Sequence, residues 1–352
     1  MQEPKNDKKL RSTLALSFSI VRSQVTMILL LVSHSFFGQC NAFSQDETSA
    51  TKATDWRSTN GPYGEHVFAL AINSRGYVFA ATSDGGVFRS TDNGSSWTPI
   101  NGGLATTNTY RLIIGKNEYL YLGTWGRGVS VSTDNGDTWV EINKGLIELY
   151  ISALTMNGQG HFFAGTSENG VFRSTDNGMS WKKCSAGLPD ARINALIGHP
   201  KGDMFASVKG NGAYRSTNGG DSWTEANKGL TKLDVYTFAI DSTGDVFAAA
   251  DGTVFRSSNN GLTWTGLSLG YKFTPVNDVS ITAPRHLFAA TEGKGVFRST
   301  DNGVTWTEMN AGLSKTRIYA LAVDSGGYLY AASEYGAVVF RSAQPISSTH
   351  SK

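Results

Sequence analysis

Cysteine is nearly missing, with only Cys40 and Cys184 in 352 residues. Cys40 lies in an amino-terminal segment expected to be removed. That leaves one thiol, which excludes an internal disulfide and a Cys-rich metal site. Cys184, just after Trp181, reads as a half-buried packing residue, so the core alone has to hold the fold. Histidine is sparse: beyond residue 42, His66, His161, His199, His286 and His350 are scattered without metal-ligand spacing, and no Ser-His-Asp arrangement is evident. No metal and no cofactor are expected. An excess of one charge is missing as well. Beyond residue 42 there are 26 Lys and Arg against 27 Asp and Glu, too few net cations to neutralise phosphates, which excludes a general nucleic-acid partner. Helical apolar periodicity is absent beyond the same point.

Long hydrophobic runs are lacking too. The longest, Val25 to Phe37, is broken by Thr26 and by Ser33 to Ser35 and is too short for a membrane span. It follows Lys5, Lys8, Lys9, Arg11 and Arg22, and Cys40-Asn41-Ala42 places small residues at the −3 and −1 positions of a cleavage site. Residues 1–42 are therefore expected to be a signal peptide, followed by a linker over 43–55. A retained anchor is the alternative. A lipidated Cys40 is disfavoured by Gln39 before it. Export is expected, to a secreted, periplasmic or cell-surface location, with no stable span after cleavage.

What the chain has in abundance is glycine, 40 residues, and a spaced set of tryptophans. Trp56, Trp97, Trp139, Trp181, Trp223, Trp264 and Trp306 are separated by 41 or 42 residues, and only Trp125 is off this spacing. Each period reads alike. An apolar run such as "VFALAI" meets a polar turn, then "YVFAAT", a Gly-rich turn, "GVFRS", and a strand led by Trp. Four short strands rich in β-branched and aromatic residues in a 42-residue period predict a β-propeller blade. Units start near Val67, Thr109, Ile151, Ile193, Val235, Val276 and Ile318, which predicts seven blades. Six Trp-bearing phrases follow them, and the last unit ends "VFRSAQP". "WRSTNGPY" from Trp56 matches "WTPINGGL" from Trp97 at its Trp and Asn positions. The amino-terminal strand is thus expected to complete blade seven and close the ring. The fold class is all-β, a monomeric seven-bladed propeller of four-stranded antiparallel blades over 56–343, with a disordered tail over 344–352.

The phrase "RSTDNGSSW" ending at Trp97 recurs at Trp139, Trp181, Trp223, Trp264 and Trp306. Its Ser-x-Asp-x-Gly-x-x-Trp pattern resembles the Asp-box, or BNR repeat, of sialidase-type, xyloglucanase-type, sortilin-type and photosystem II assembly factor-like propellers. The resemblance covers nearly all of residues 56–342. Read as chemistry, Asp92 and Ser90 accept nearby amides, Gly94 supplies positive φ, and Trp97 buries a ring beside the turn. Asn218 and Asn259 replace the Asp in two copies, which keeps a turn but would disable an acid. The resemblance places the box away from the active face, so the phrase is a building part. The arginine repeated at Arg89, Arg173, Arg215, Arg256, Arg298 and Arg341 is read as structural or solvated. The Gly-Leu pairs, such as Gly103-Leu104, are read as turn punctuation.

Function is sought in what the period leaves unexplained. The positions entering the first strands are His66, Asn108, Tyr150, Arg192, Asp234, Pro275 and Arg317. Two residues on come Phe68, Tyr110, Ser152, Asn194, Tyr236, Asn277 and Tyr319. The loops between second and third strands begin Ser83, Trp125, Ser167, Lys209, Asp251, Glu292 and Glu334. These columns vary while their neighbours stay apolar or Gly. Tyr110, Arg111, Trp125, Arg127, Tyr150, Arg192, Tyr236, Arg317 and Tyr319 are therefore the candidate binding residues on one face, with Trp125 expected exposed. Aromatic rings with Arg suit a protein partner or a glycan; the same residues would also make an ordinary polar mouth without a ligand.

A sialidase, by the resemblance, needs three arginines, a Tyr–Glu pair, an Asp and an Arg-Ile-Pro string. The nearest string is Arg192-Ile193-Asn194, in the fourth blade. Asp234, Asp251, Asp278 and Glu292 are the candidate carboxylates of a glycosidase on the rim of blades five and six, although xyloglucanase-type enzymes set their cleft between two propellers. The reading favoured is an exported, non-enzymatic interaction platform like the assembly-factor group. A glycan-binding or glycan-hydrolysing propeller is the alternative.

Overall fold

The computed structural model describes residues 55–62, 66–272, 274–282, 285–334, 336 and 338–346. The expected signal peptide, residues 43–54 of the expected linker, and the tail from 347 lie outside the described residues. Seven four-stranded antiparallel sheets, blades I to VII, follow one another along the chain. Blade I runs Val67–Ile72, Val78–Thr82, Val87–Ser90 and Thr98–Pro99. The first strands of blades II to VII are Thr109–Ile114, Ile151–Met156, Ile193–Gly198, Thr237–Ile240, Val276–Thr282 and Ile318–Val323. Each touches the first strands of both neighbours, and Val67–Ile72 against Ile318–Val323 completes the circle. Six of the seven starts fall where the sequence puts them. Blade V begins at Thr237 instead of Val235, which is nevertheless fully buried.

Burial explains the composition of the strands. Second strands such as VFAAT (78–82) and LYLGT (120–124) are buried at every residue. A blade sandwiched between two others has no solvent face, so alternation gives way to a continuous apolar run. Small residues let the sheets approach. At Gly123 a Cβ would press on Ile151 of the next blade, and at Gly165 it would press on Ile193. Third strands of the VFRS type keep one half-buried position for the repeated arginine.

The repeated phrase forms one compact turn in every copy. In blade I, Ser90 Oγ donates to Asp92 Oδ1 (2.8 Å) and accepts from the Gly94 amide (2.8 Å), while Asp92 Oδ1 also accepts from the Ser96 amide (2.9 Å). Asn93 and Gly94 both have positive φ, 59° and 90°, the conformations Asn and Gly tolerate best. These bonds hold Asp134, Asp176 and Asp301 down at about 2, chiefly through the Thr138, Ser180 and Thr305 hydroxyls. Asn218 and Asn259 make the same amide bonds, to Ser222 and Thr263 (3.0 and 2.9 Å). The turn therefore requires an acceptor oxygen and no acid.

Five of the spaced tryptophans, Trp56, Trp139, Trp181, Trp223 and Trp264, staple their blade to the one before it, whereas Trp306 Nε1 is buried without an acceptor and Trp97 Nε1 reaches only the Thr59 hydroxyl (3.4 Å). Trp139 Nε1 donates to Ile100 O, Trp181 to Ile142 O and Trp264 to Ala226 O, each at 2.7 Å. The Gly-Leu pairs are part of the same joint. At Gly103, Gly145, Gly187 and Gly229, all with positive φ, a Cβ would collide with the backbone carbonyl of the following tryptophan. Gly312 meets Trp56 in the same way, and Trp56 Nε1 donates to Met309 O (2.7 Å). The strand Trp56–Ser58 pairs antiparallel with Val339–Ser342, Trp56 opposite Ser342, and closes the ring. Trp56 is 1% exposed. Order continues past residue 343: Ile346 is buried against the blade VII core and its amide donates to Gly327 O (2.8 Å). The expected disordered tail is thus corrected over 344–346.

Cys184 is buried rather than half-buried, and burial pushes its thiol up to about 12. It is inert packing. Among the described residues there is no metal-binding cluster, and no helix is long and apolar enough to cross a membrane.

Candidate functional site

The variable columns of the sequence lie side by side at the mouth of the ring. Within a blade, the residue opening the loop between second and third strands donates its amide to the residue entering the first strand: Trp125 to Asn108 O (3.0 Å), Lys209 to Arg192 O (2.9 Å) and Glu334 to Arg317 O (3.1 Å). Between blades the columns pair again, Trp125 with Tyr150, Asp251 with Pro275, Glu292 with Arg317 and Glu334 with His66. Backbone hydrogen bonds thus fix a belt of side chains whose identities the repeat leaves free.

Blades II to IV carry aromatic rings and unneutralised arginines. Tyr110 packs at a tilt against Phe68 and Trp125, at 4.9 and 5.6 Å between ring centres, and Trp125 meets Tyr150 edge-on at 5.4 Å. The Arg192 guanidinium lies 5.5 Å from the Tyr110 ring and 5.3 Å from that of Trp125, and its Nη2 donates to Tyr110 Oη (2.7 Å). The Arg111 guanidinium lies 4.3 Å from the centre of the same Tyr110 ring. Burial raises the Tyr110 phenol, but the two guanidiniums outweigh it and hold the group below the usual tyrosine value. Trp125 is half-buried rather than fully exposed, Tyr150 is 47% exposed, and Arg127 beside them is exposed.

Blades V to VII are acidic. Asp234 Oδ1 accepts the Gly210 amide (2.9 Å), Asp251 accepts Tyr236 Oη (3.0 Å), and Glu292 stands next to Arg317 in the belt. Burial and the Asp251 carboxylate raise Tyr236 above its ordinary value. Arg317 is bound through Nη1 to both oxygens of Glu334, at 3.1 and 2.8 Å. Glu334 itself is only 5% exposed, so Arg317 is an anchored rim residue and not a free cation.

A cavity of about 400 Å³ opens between the two sides, lined by Tyr110, Arg111, Arg192, Asp234, Tyr236 and Tyr319 together with Phe68, Asn194, Lys209 and Asn277. The last four belong to the columns already identified as variable, which was the signal for them. Below lies a narrower space of about 190 Å³ among the first strands. Asp278 is found there, lining the channel and not standing with the rim carboxylates. Its oxygens accept the Leu321 amide of the next blade (2.8 Å) and the Val279 amide (2.9 Å). Burial pushes it up to about 6, against the opposing pull of those amides and of Arg111. It ties blade VI to blade VII, much as Asn277 Nδ2 does by donating to Ile318 O (3.0 Å).

Residues 51–208 match the family model described as DUF6242 beta propeller domain. No curated protein matches the chain. Among solved structures, YCF48 bound to D1 peptide is similar over 84% of this chain and 97% of its own, with 16% identity and a TM-score of 0.70. The GH74 xyloglucanase of Xanthomonas campestris is similar over 81% of this chain and 53% of its own, with 19% identity and a TM-score of 0.66. PorZ, a bacterial surface component of the type-IX secretion system of Porphyromonas gingivalis, is similar over 80% and 47%, with 17% identity and a TM-score of 0.62. At such identities the likeness is one of fold.

Proposed function

We propose that the protein is an exported, non-enzymatic propeller that docks another protein on its mouth. The observation that carries this reading is the arc of Tyr110, Trp125 and Tyr150 with Arg192 held across two of the rings. Tyr, Trp and Arg are the side chains that concentrate binding energy at protein interfaces, and here they sit pre-ordered on a rigid belt. Export is supported by the charged and apolar amino-terminal sequence and by a fold shared with a bacterial surface component. Docking is supported by a fold shared with a propeller that was solved with a peptide bound. The six repeated turns have the hydrogen bonding expected of Asp-boxes and take no part in docking.

A glycan-acting reading is favoured by the fold shared with a xyloglucanase and by Asp234, Asp251 and Glu292 on one arc. Two findings weigh against it. Asp278 is committed to two backbone amides, and Asp251 is engaged by Tyr236. The test is site-specific photo-cross-linking of the full chain in extracts of its own cells, with the cross-linker at exposed Arg127 or at Val304 in an outer turn. Partner capture from position 127 and not from 304 supports mouth docking; equal capture contradicts it. Hydrolysis of xyloglucan or a sialoside, lost in Asp251→Asn or Glu292→Gln, would install the glycosidase reading instead.

A further inference from the structure

The charges of the mouth are sorted by direction. Arg111, Arg127 and Arg192 have no carboxylate within 4.0 Å among the described residues. The Tyr110 and Trp125 rings and the bond to Tyr110 Oη hold the Arg192 guanidinium without cancelling its charge, and its Nε is buried with no acceptor. Asp234 lines the cavity, and with Asp251 and Glu292 it surrounds Tyr236, another lining residue; among the described residues these three carboxylates take part in no ion pair, and Arg317 beside Glu292 already belongs to Glu334. Arg111, Arg192, Lys209 and Asp234 line the same cavity.

Building on the docking reading above, we infer that the mouth selects a dipolar peptide segment. Such a segment presents a carboxylate to Arg111 and Arg192 and an ammonium or guanidinium to the acidic cluster of Asp234, Asp251 and Glu292 around Tyr236. Each alternative leaves one cluster unmatched. A neutral sugar offers charge to neither side. A purely acidic ligand, whether a polyanion or a sialylated glycan, meets its own sign at blades V and VI, and like-charge juxtaposition is an effective device against wrong partners. A cavity of about 400 Å³ takes a few side chains, so the ligand is a short segment or a chain end and not a folded surface. Separate basic and acidic clusters also fix the direction in which that segment lies.

The test measures binding of the purified full chain to Gly/Ser nonapeptides at low salt. One set carries a Glu and a Lys two to six positions apart. Control sets carry the Glu alone, the Lys alone, or neither. The dipolar set is expected to bind at least about tenfold tighter than any control, with the advantage falling as salt is raised. Asp234→Lys, a change on the exposed rim, is expected to remove the Lys contribution and leave the Glu contribution, and Arg192→Gln the reverse. Equal binding of the dipolar and Glu-only sets, or no binding by any set, overturns dipolar selection. The docking reading is judged separately. If binding is indifferent to charge yet lost in Trp125→Ala, the mouth still docks peptides; if it is indifferent to Trp125→Ala as well, the docking reading fails too.

Discussion

At the outer turns, the same nine-residue phrase folds the same way six times, and each Ser and Asp or Asn is answered inside its own turn. At the mouth, positions just as regular in the backbone hold His, Asn, Tyr, Arg, Asp and Pro in turn, and several charges face the cavity unmatched. Both regions lie on the same strands and repeat with the same period. The difference is where the partners of the polar groups come from. A group satisfied within its own blade stabilises that blade, whereas a group left unsatisfied on a rigid frame is available to a ligand.

The comparison can be pressed first at the joint that the repeat shares with closure. Trp56→Ala removes a fully enclosed ring and its bond to Met309 at the point where the ends of the propeller meet. It is expected to lower stability by about 3–5 kcal/mol, read as the urea midpoint at unchanged slope, or to drive aggregation. Loss of less than about 1 kcal/mol would show that the ring holds without its closing strand.

A smaller effect is expected in a single turn. Asp176→Ala deletes the acceptor of the Ser180 amide at a partly solvated site, so about 1 kcal/mol is expected, less than for a fully buried acceptor. Asp176→Asn is expected to recover most of it, because Asn218 and Asn259 already do this work in blades IV and V. Failure of Asn to rescue would mean that the carboxylate charge matters at the turn.

The smallest effect is a pH signature with two limbs. Asp278 is raised to about 6 from 3.8, so its charged form opposes folding. As pH falls from 7 through 6 towards 3.8, that opposition is relieved and stability rises. Asp134, Asp176 and Asp301 are depressed to about 2 from 3.8. Their contribution is complete above 3.8 and is lost as pH falls towards 2. The melting temperature is expected to pass through a maximum near pH 4. Asp278→Asn should flatten the upper limb, and Asp134→Asn with Asp176→Asn the lower one. A steady decline from pH 7 downward in the wild type would contradict the assignment of the upper limb.

Blade number, strand starts and closure were legible because Trp, Gly and the box recur at one spacing, and spacing survives without knowledge of contacts. The mouth was legible only as columns. That Arg192 reaches Tyr110, 82 residues away, depends on how seven blades are arranged in a circle, which no local pattern records. Asp278 shows the limit most plainly. It is one residue on from the column that holds Asn277, at a point where the register shifts between Val276 and Asp278, and both residues line the channel. Ile346 escaped notice because a single isoleucine after a proline carries no periodic signal.

The division between frame and mouth is tested most directly by pairing Trp125→Ala with Asp176→Ala and measuring both melting temperature and affinity for the partner captured at position 127. Trp125→Ala is expected to weaken binding by about 1–3 kcal/mol at a nearly unchanged melting temperature. Asp176→Ala is expected to lower the melting temperature while each folded molecule binds as before. The opposite crossing, folded Asp176→Ala losing the partner while Trp125→Ala keeps it, would contradict the account.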